Sequence, residues 1–255
     1  MFKGTSASAG IGIGKAVIVE EAELVITRNE VADAEAEIQR FKGALEKTIA
    51  ATQKMADDLA SRVGEKEAEI MQGHMMLLSD PMLTGEIENS VKNDKVNCEF
   101  AIENVCNMYA DMFASMGDEL MQQRATDMRD IKVRMQRTLM GLESVDVSLL
   151  PKGSILVAKD LTPSMTAGIN PENVSGIVTE LGGKTSHSAI LARALEIPAV
   201  VAVNGLMDAV KDGDSVVLDG STGEVFVNPE ASVEKEYEEK RSQFLKDKKE
   251  LEKYI

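Results

Sequence analysis

At 255 residues the chain is long enough for two domains with separate cores. Hydrophobic residues make up 44% and charged residues 28%, the balance of a globular protein. A formal charge of −15 argues against nucleic acid and against anionic membranes as partners, and points to a basic protein partner or simply to solubility.

Residues 1–20 read as short strands with glycine turns. The run Gly10-Ile11-Gly12-Ile13-Gly14 precedes an apolar strand, Lys15 to Val19. It fits neither nucleotide template. Lys15 stands where a dinucleotide fingerprint needs its third glycine, and Ala9 and Ala16 stand where a phosphate loop needs glycine and a hydroxyl. A glycine-rich strand and turn is the better reading. The segment also lacks the basic start and compact apolar core of a signal peptide.

From about residue 30 to 143 proline and glycine nearly vanish. Val31, Ala34, Ile38, Phe41, Leu45, Ile49, Thr52, Met55, Leu59 and Val63 recur every three or four residues. That spacing predicts one long helix, capped by Asn29 and stopped at Gly64. Further helices are expected around 66–79, 82–93, 97–116 and 119–141. Cys98 and Cys106 lie roughly 12 Å apart by helical rise, beyond the reach of a disulfide. Free cysteines without a signal sequence imply a reducing, cytoplasmic setting. No run of about 18 apolar residues exists to span a membrane. Residues 21–143 hold 24 acidic and 14 basic side chains, a balance of −10. Twelve of the 15 methionines lie between Met55 and Met140. Most are expected in a bundle core, although an acidic, Met-rich helical surface also suits protein binding.

Beyond residue 150 the texture returns to strand, turn and short helix. Strands are predicted at 154–158, 174–178, 199–203, 215–218 and 225–227, with Gly213-Asp214 and Gly220 to Gly223 as hairpin turns. The simplest architecture is a discontinuous α/β domain, residues 1–20 and 147–230. An all-α bundle, 21–146, is inserted into it. Residues 231–255 form a charged helix with no sheet partner, read as a linker.

The stretch Gly182-Gly183-Lys184-Thr185-Ser186-His187-Ser188-Ala189-Ile190-Leu191-Ala192-Arg193 carries the chemistry. A glycine pair ends one element, a Thr-Ser pair sits where an N-cap belongs, and apolar residues then recur at helical spacing. His187 should therefore occupy the first turn of a helix, beside outward N–H groups and the positive end of the dipole. Such a site attracts anions, and an imidazole there can take a phosphoryl group. Lys184 or Arg193 could add a cation. Ser186-His187-Ser188 is no hydrolase triad, because neighbouring helical residues point different ways and no nucleophile elbow exists. His74, His187 and two separated cysteines give no metal-ligand spacing. His74 is either a polar residue on a helix surface or part of an interface beside the break at Pro81.

These residues resemble the N-terminal half of Enzyme I of the bacterial phosphoenolpyruvate:sugar phosphotransferase system. The stretch around His187 resembles that family's phosphohistidine signature, and Asp160 to Thr166 its upstream loop. Gly73 to Leu78 and Arg124 to Ile131 resemble its helical insertion, and Val210 to Pro229 its closing hairpin. The resemblance implies a swivelling phosphohistidine domain of α/β class with an inserted all-α helical bundle. It implies that His187 carries phosphate on Nε2, receives it from phosphoenolpyruvate and passes it to a histidine of HPr, in the service of sugar transport. Gly182, Gly183, Lys184, Thr185 and Ser186 would support the phosphoryl group. Thr166 would hydrogen-bond the resting imidazole and release it on phosphorylation. The bundle would dock HPr through Met71, His74, Leu77, Asp80, Leu83, Phe113, Met116, Met121 and Arg124. Phosphoenolpyruvate, Mg2+ and dimerisation would belong to a C-terminal domain absent here. This chain would then be a monomeric piece without a cofactor of its own. The alternative is a binding module, an acidic helical adaptor beside a vestigial histidine domain.

Overall fold

The computed structural model describes residues 1–254. The chain falls into two compact units. One comprises 1–20, 145–161 and everything from 168 on; the other comprises 21–144 and 162–167.

The first unit is built on one sheet of eight strands among the described residues. They are β1 (Phe2–Lys3), β2 (Thr5–Ser8), β3 (Ile11–Ile18), β4 (Ser154–Ala158), β5 (Val174–Thr179), β6 (Ala199–Val201), β7 (Ser215–Asp219) and β8 (Glu224–Val227). Their order across the sheet is β1-β8-β7-β3-β4-β5-β6-β2. The pairs β3–β4, β4–β5 and β5–β6 are parallel, and the outer pairs antiparallel. All five residues of β4 are buried, as expected where a parallel strand is covered on both faces. The expected strand at 199–203 stops at Val201, because Ala202 takes a left-handed φ of 57°. Gly213-Asp214 joins no two strands. It leads into β7, and Asp214 closes its own turn by accepting from the Lys211 N–H at 2.9 Å.

The glycines of β3 have a structural cause. A Cβ on Gly14 would sit 2.0 Å from the Gly153 carbonyl oxygen, and one on Gly12 would sit 2.7 Å from that of Ser175. The run thus lets β3 approach the backbone before β4 and that of β5 closely.

The C-terminal helix Ala231–Leu251 does have a sheet partner, contrary to the expectation of a free linker. Tyr237 is buried against Phe226, with ring centroids 5.2 Å apart, and its hydroxyl donates to Glu224 at 2.9 Å. Phe244 packs against Gly10. Ile255, the end of the expected linker, lies outside the described residues.

The second unit is a bundle of α1 (Ala34–Arg62), α2 (Glu65–Leu78), α3 (Pro81–Asp94), α4 (Cys98–Ser115) and α5 (Glu119–Leu139). The cap of α1 is Asp33, whose carboxylate accepts from the Ala36 N–H at 3.0 Å. Asn29 is engaged elsewhere: its N–H donates to the Asn97 side chain at 2.8 Å and its carbonyl accepts from the Asn97 N–H at 3.0 Å. The core gathers Ile38, Phe41, Leu83, Ile87, Ile102, Met128 and Met135, among others. Met71, Met128 and Met135 are fully buried, whereas Met76, Met82, Met108, Met112 and Met116 stay exposed.

The short helix α6 (Pro163–Ala167) also belongs to this unit, although β4 and β5 flank it in sequence. The expected boundary gave it to the α/β domain. A crossover between parallel strands usually packs on its own sheet, and this one is held by helices instead.

Both cysteines are buried and free. Burial pushes the Cys106 thiol up to about 12. Burial also raises Cys98, further assisted by Glu37 and Glu99. Two outcomes follow. Neither thiol should react with a maleimide at pH 8 until the chain is unfolded. Gly14→Ala should lower the unfolding free energy by about 1–3 kcal/mol in urea titrations, since the added methyl forces β3 off its neighbour.

Candidate active site

His187 opens the helix α7 (His187–Ala194). Ser186 is its N-cap, with extended backbone, and its Oγ accepts from the Ala189 N–H at 3.3 Å. The same Oγ lies 2.8 Å from the Gly183 carbonyl, to which it donates, and 3.0 Å from Ser188 Oγ. The Ser186 N–H donates to that carbonyl as well, at 3.1 Å. Gly182 supplies the left-handed φ of 104° that turns the chain out of the sheet. At the other end of the loop, Thr179 Oγ1 donates to the Leu181 carbonyl at 2.6 Å, and Leu181 N–H donates to Lys159 at 2.8 Å.

Arg193, whose role the sequence leaves open, is a strut. Its guanidinium donates to the Ala7 carbonyl at 2.9 Å and to the Lys184 carbonyl at 3.0 Å. It ties the glycine loop to β2, so it holds the backbone that precedes His187. The Lys184 and Thr185 side chains are exposed, His187 is half-buried, and its Nδ1 atom is buried. The elements thus present an imidazole at a helix start, with a flexible cation and a hydroxyl before it. That arrangement can accept and hold a phosphoryl group.

Thr166 falls in the helical unit, on α6, and His187 in the sheet unit. Thr166 is buried, and its hydroxyl donates to the Thr162 carbonyl at 2.9 Å.

The expected docking residues divide. Met71 and His74 are 0% exposed and Leu83 2%, so these three side chains are core and offer no partner surface. His74 Nε2 lies 2.9 Å from Asp127 Oδ1, which explains how a buried imidazole is tolerated between α2 and α5. Asp80 caps α3, accepting from the Met82 N–H at 2.9 Å. Leu77, Phe113, Met121 and Arg124 are half-buried and Met116 is exposed. The exposed apolar residues at that end of the bundle are instead Met76, Met82, Met112, Met116 and Leu120. Burial, and the nearby Glu86 and Asp80, raise the Tyr109 phenol, which places the start of α3 beside the later half of α4.

Among the described residues one group has ligand atoms close enough for a metal: Glu37, Cys98 and Glu99. Arg40 already supplies the positive charge there. Its guanidinium donates to Glu37 at 2.9 Å, to Cys98 Sγ at 3.4 Å and to both Glu99 oxygens.

Residues 3–124 match the family described as PEP-utilising enzyme, N-terminal, and residues 150–223 match PEP-utilising enzyme, mobile domain. The solution structure titled Enzyme I (nEIt) superposes with a TM-score of 0.82 at 39% identity, covering 96% of this chain and 99% of that one. The chain belongs to the Enzyme I family. A solved N-terminal domain of Enzyme 1 - Nitrogen is more distant, with a TM-score of 0.60 at 26% identity over 95% of this chain and 100% of that one. Phosphoenolpyruvate-protein phosphotransferases of Staphylococcus carnosus and Bacillus subtilis are each 41% identical, over 99% and 100% of this chain. The chain spans 44% and 45% of their respective lengths. His187 lies inside the segment matched to the mobile domain. Among the described residues no helix is long and apolar enough to cross a membrane.

The cap and the strut make separate contributions. Ser186→Ala should cost about 1 kcal/mol of stability, as loss of an N-cap does. Arg193→Ala should accelerate amide exchange at Lys184 to His187 while leaving the β4 and β5 amides protected.

Proposed function

We propose that this chain is a phosphoryl carrier of the phosphoenolpyruvate:sugar phosphotransferase system. His187 accepts a phosphoryl group and exchanges it with a histidine of HPr. The observation that carries this reading is the position of His187 as first residue of α7, directly behind the Ser186 cap, within the mobile-domain match.

The chemistry asks little beyond placement and charge stabilisation. The P–N bond on the HPr ring breaks as a P–N bond forms at His187 Nε2. A proton travels the opposite way, from Nε2 to the HPr imidazole. The phosphoryl oxygens face the start of α7, where backbone N–H groups and the dipole favour negative charge. Lys184 and Thr185 are exposed and can close on the same oxygens. The Thr166 hydroxyl gives its proton to the Thr162 carbonyl, which leaves its oxygen as an acceptor.

HPr docks on the helical unit. Two properties support this: the balance of −10 over residues 21–143, and the exposed apolar set Met76, Met82, Met112, Met116 and Leu120. Acidic surroundings steer a basic partner, and adaptable methionine side chains provide the apolar contact. Phosphoenolpyruvate chemistry and its Mg2+ are assigned to parts of the relatives that this chain does not match.

Incubation with phospho-HPr tests the reading. The chain should become labelled on histidine, and His187→Ala should take no label while keeping its fold and its affinity for HPr. A labelled His187→Ala variant refutes the assignment. Phosphoenolpyruvate with Mg2+ should give no label.

Replacing Met82 and Met116 together by Asp should weaken HPr binding by about 2–4 kcal/mol if both are anchors, and the remaining affinity should fall with salt. Unchanged binding moves the docking surface elsewhere.

A further inference from the structure

The loop between the end of β5 and the start of α7 has little side-chain packing to hold it. Leu181, Lys184 and Thr185 are exposed. Gly182 and Gly183 carry no side chain, and a Cβ on Gly183 would meet nothing within 4 Å. A Cβ on Gly182 would make ordinary contact, 3.6 Å from Thr179 Oγ1, so glycine is needed there for its φ of 104° and not for room. The course of the loop is therefore set by the carbonyls held along it. The Gly183 carbonyl accepts from Ser186 and that of Lys184 from Arg193. Before the glycine pair, the held carbonyl is that of Leu181, and Thr179 holds it.

Thr179 is the last residue of β5 and is 0% exposed. A hydroxyl so buried is costly unless it is paired, and its Oγ1 donates to the Leu181 carbonyl at 2.6 Å. The Ala202 N–H reaches the same carbonyl only at 3.4 Å, outside the range of a well-made bond. The Leu181 N–H is fixed by the Lys159 carbonyl at 2.8 Å. The next peptide, from Leu181 to Gly182, thus depends on the Thr179 side chain for its orientation. Turning that peptide over changes ψ of Leu181 and φ of Gly182 together and moves the flanking chain little. Glycine resists such a turn least, because it populates both signs of φ. The Thr179 hydroxyl blocks it, and so keeps Gly182 left-handed.

We propose that Thr179 is a positioning residue for phosphoryl transfer: its buried hydroxyl fixes the Leu181–Gly182 peptide, and with it the course of the glycine loop that delivers His187 to the start of α7. The proposal rests on the reading of His187 as the phosphoryl acceptor given above. Thr179 acts through the loop, and every contact it uses lies within the sheet unit.

The test uses the whole chain with phospho-HPr as donor. Thr179→Val keeps the volume and removes the hydroxyl. It should lower the maximum single-turnover rate of His187 labelling by about 10–100-fold, the scale expected of a misplaced reacting group. The phospho-HPr concentration giving half that maximum should not change, because docking is assigned to the other unit. Amides of Gly182 to His187 should exchange faster, and the 15N shifts of the His187 ring should move. Thr179→Ser restores the donor and should recover most of the rate. Val178→Ala, a buried apolar substitution on the same strand, should lose stability and keep the wild-type rate and ring shifts. If Thr179→Val does not fold because its methyl presses on the Leu181 carbonyl, Thr179→Ala carries the test by the same criteria. A wild-type rate in the variant without the hydroxyl overturns the proposal, as does failure of Thr179→Ser to recover it. Equal slowing in Val178→Ala also overturns it, since general loosening of the sheet would then be the cause. Label that persists in His187→Ala refutes the reading of His187 itself. Label confined to His187, beside a wild-type rate without the Thr179 hydroxyl, refutes the positioning role alone.

Discussion

Strand β3 lies between β4 and β7, and backbone on its β4 and β5 side comes closer than a side chain would allow. Gly14 faces the carbonyl of Gly153 and Gly12 that of Ser175. The rest of the sheet unit depends on this contact. Residues 11–18 register against 154–157 and against 215–219, joining segments separated by about half the chain or more. Only then is there a parallel core, β3-β4-β5-β6, from which the glycine loop and α7 can emerge. The site therefore stands on a contact of long sequence separation, one whose loop-closure entropy has to be overcome before it stabilises anything.

The helical unit is organised by buried polar groups as much as by its apolar core. His74 meets Asp127, Arg134 meets Thr52, and Asp130 meets Ser164. Each such group would be costly if unmatched, and each specifies a single register between helices. Apolar packing alone tolerates exchange of one methionine or leucine for another. A carboxylate that must receive both an N–H and an O–H from one serine does not. Specific placement of α6 comes from that demand.

Methionine shows how one residue type divides by context. Met71, Met128 and Met135 are sealed in the core, where a flexible thioether fills irregular space. Met76, Met82, Met112 and Met116 lie exposed at the end of the bundle where α2 gives way to α3 and α4 to α5. No difference in the residue itself separates the two groups. Helical phase and the neighbouring helix decide which way each one faces.

Much was legible in the residues alone. Helical periodicity placed the five bundle helices within a few residues, with α1 the least exact, because local spacing and capping chemistry decide them. Strand β4 was read at its observed bounds, and Ser186 as a cap follows from the run Thr185-Ser186-His187. The family followed from the same stretch. What the sequence could not decide was every contact between distant segments. Asn29 is as good a cap by type as Asp33, and only its pairing with Asn97 removes it. His74 and Met71 are plausible on a helix surface until the fold buries them, His74 against Asp127 of α5. The helix Ala231–Leu251 looks solvated until Tyr237 and Phe244 find the sheet. Asp130 and Arg193 find their partners only when Ser164 and Ala7 arrive opposite them. Periodicity and capping chemistry determined the elements and the place of His187 at the start of α7, since both are set by neighbours a few residues away. The tertiary structure alone decided burial, boundaries and supporting residues, because a side chain's partner across the fold leaves no local trace.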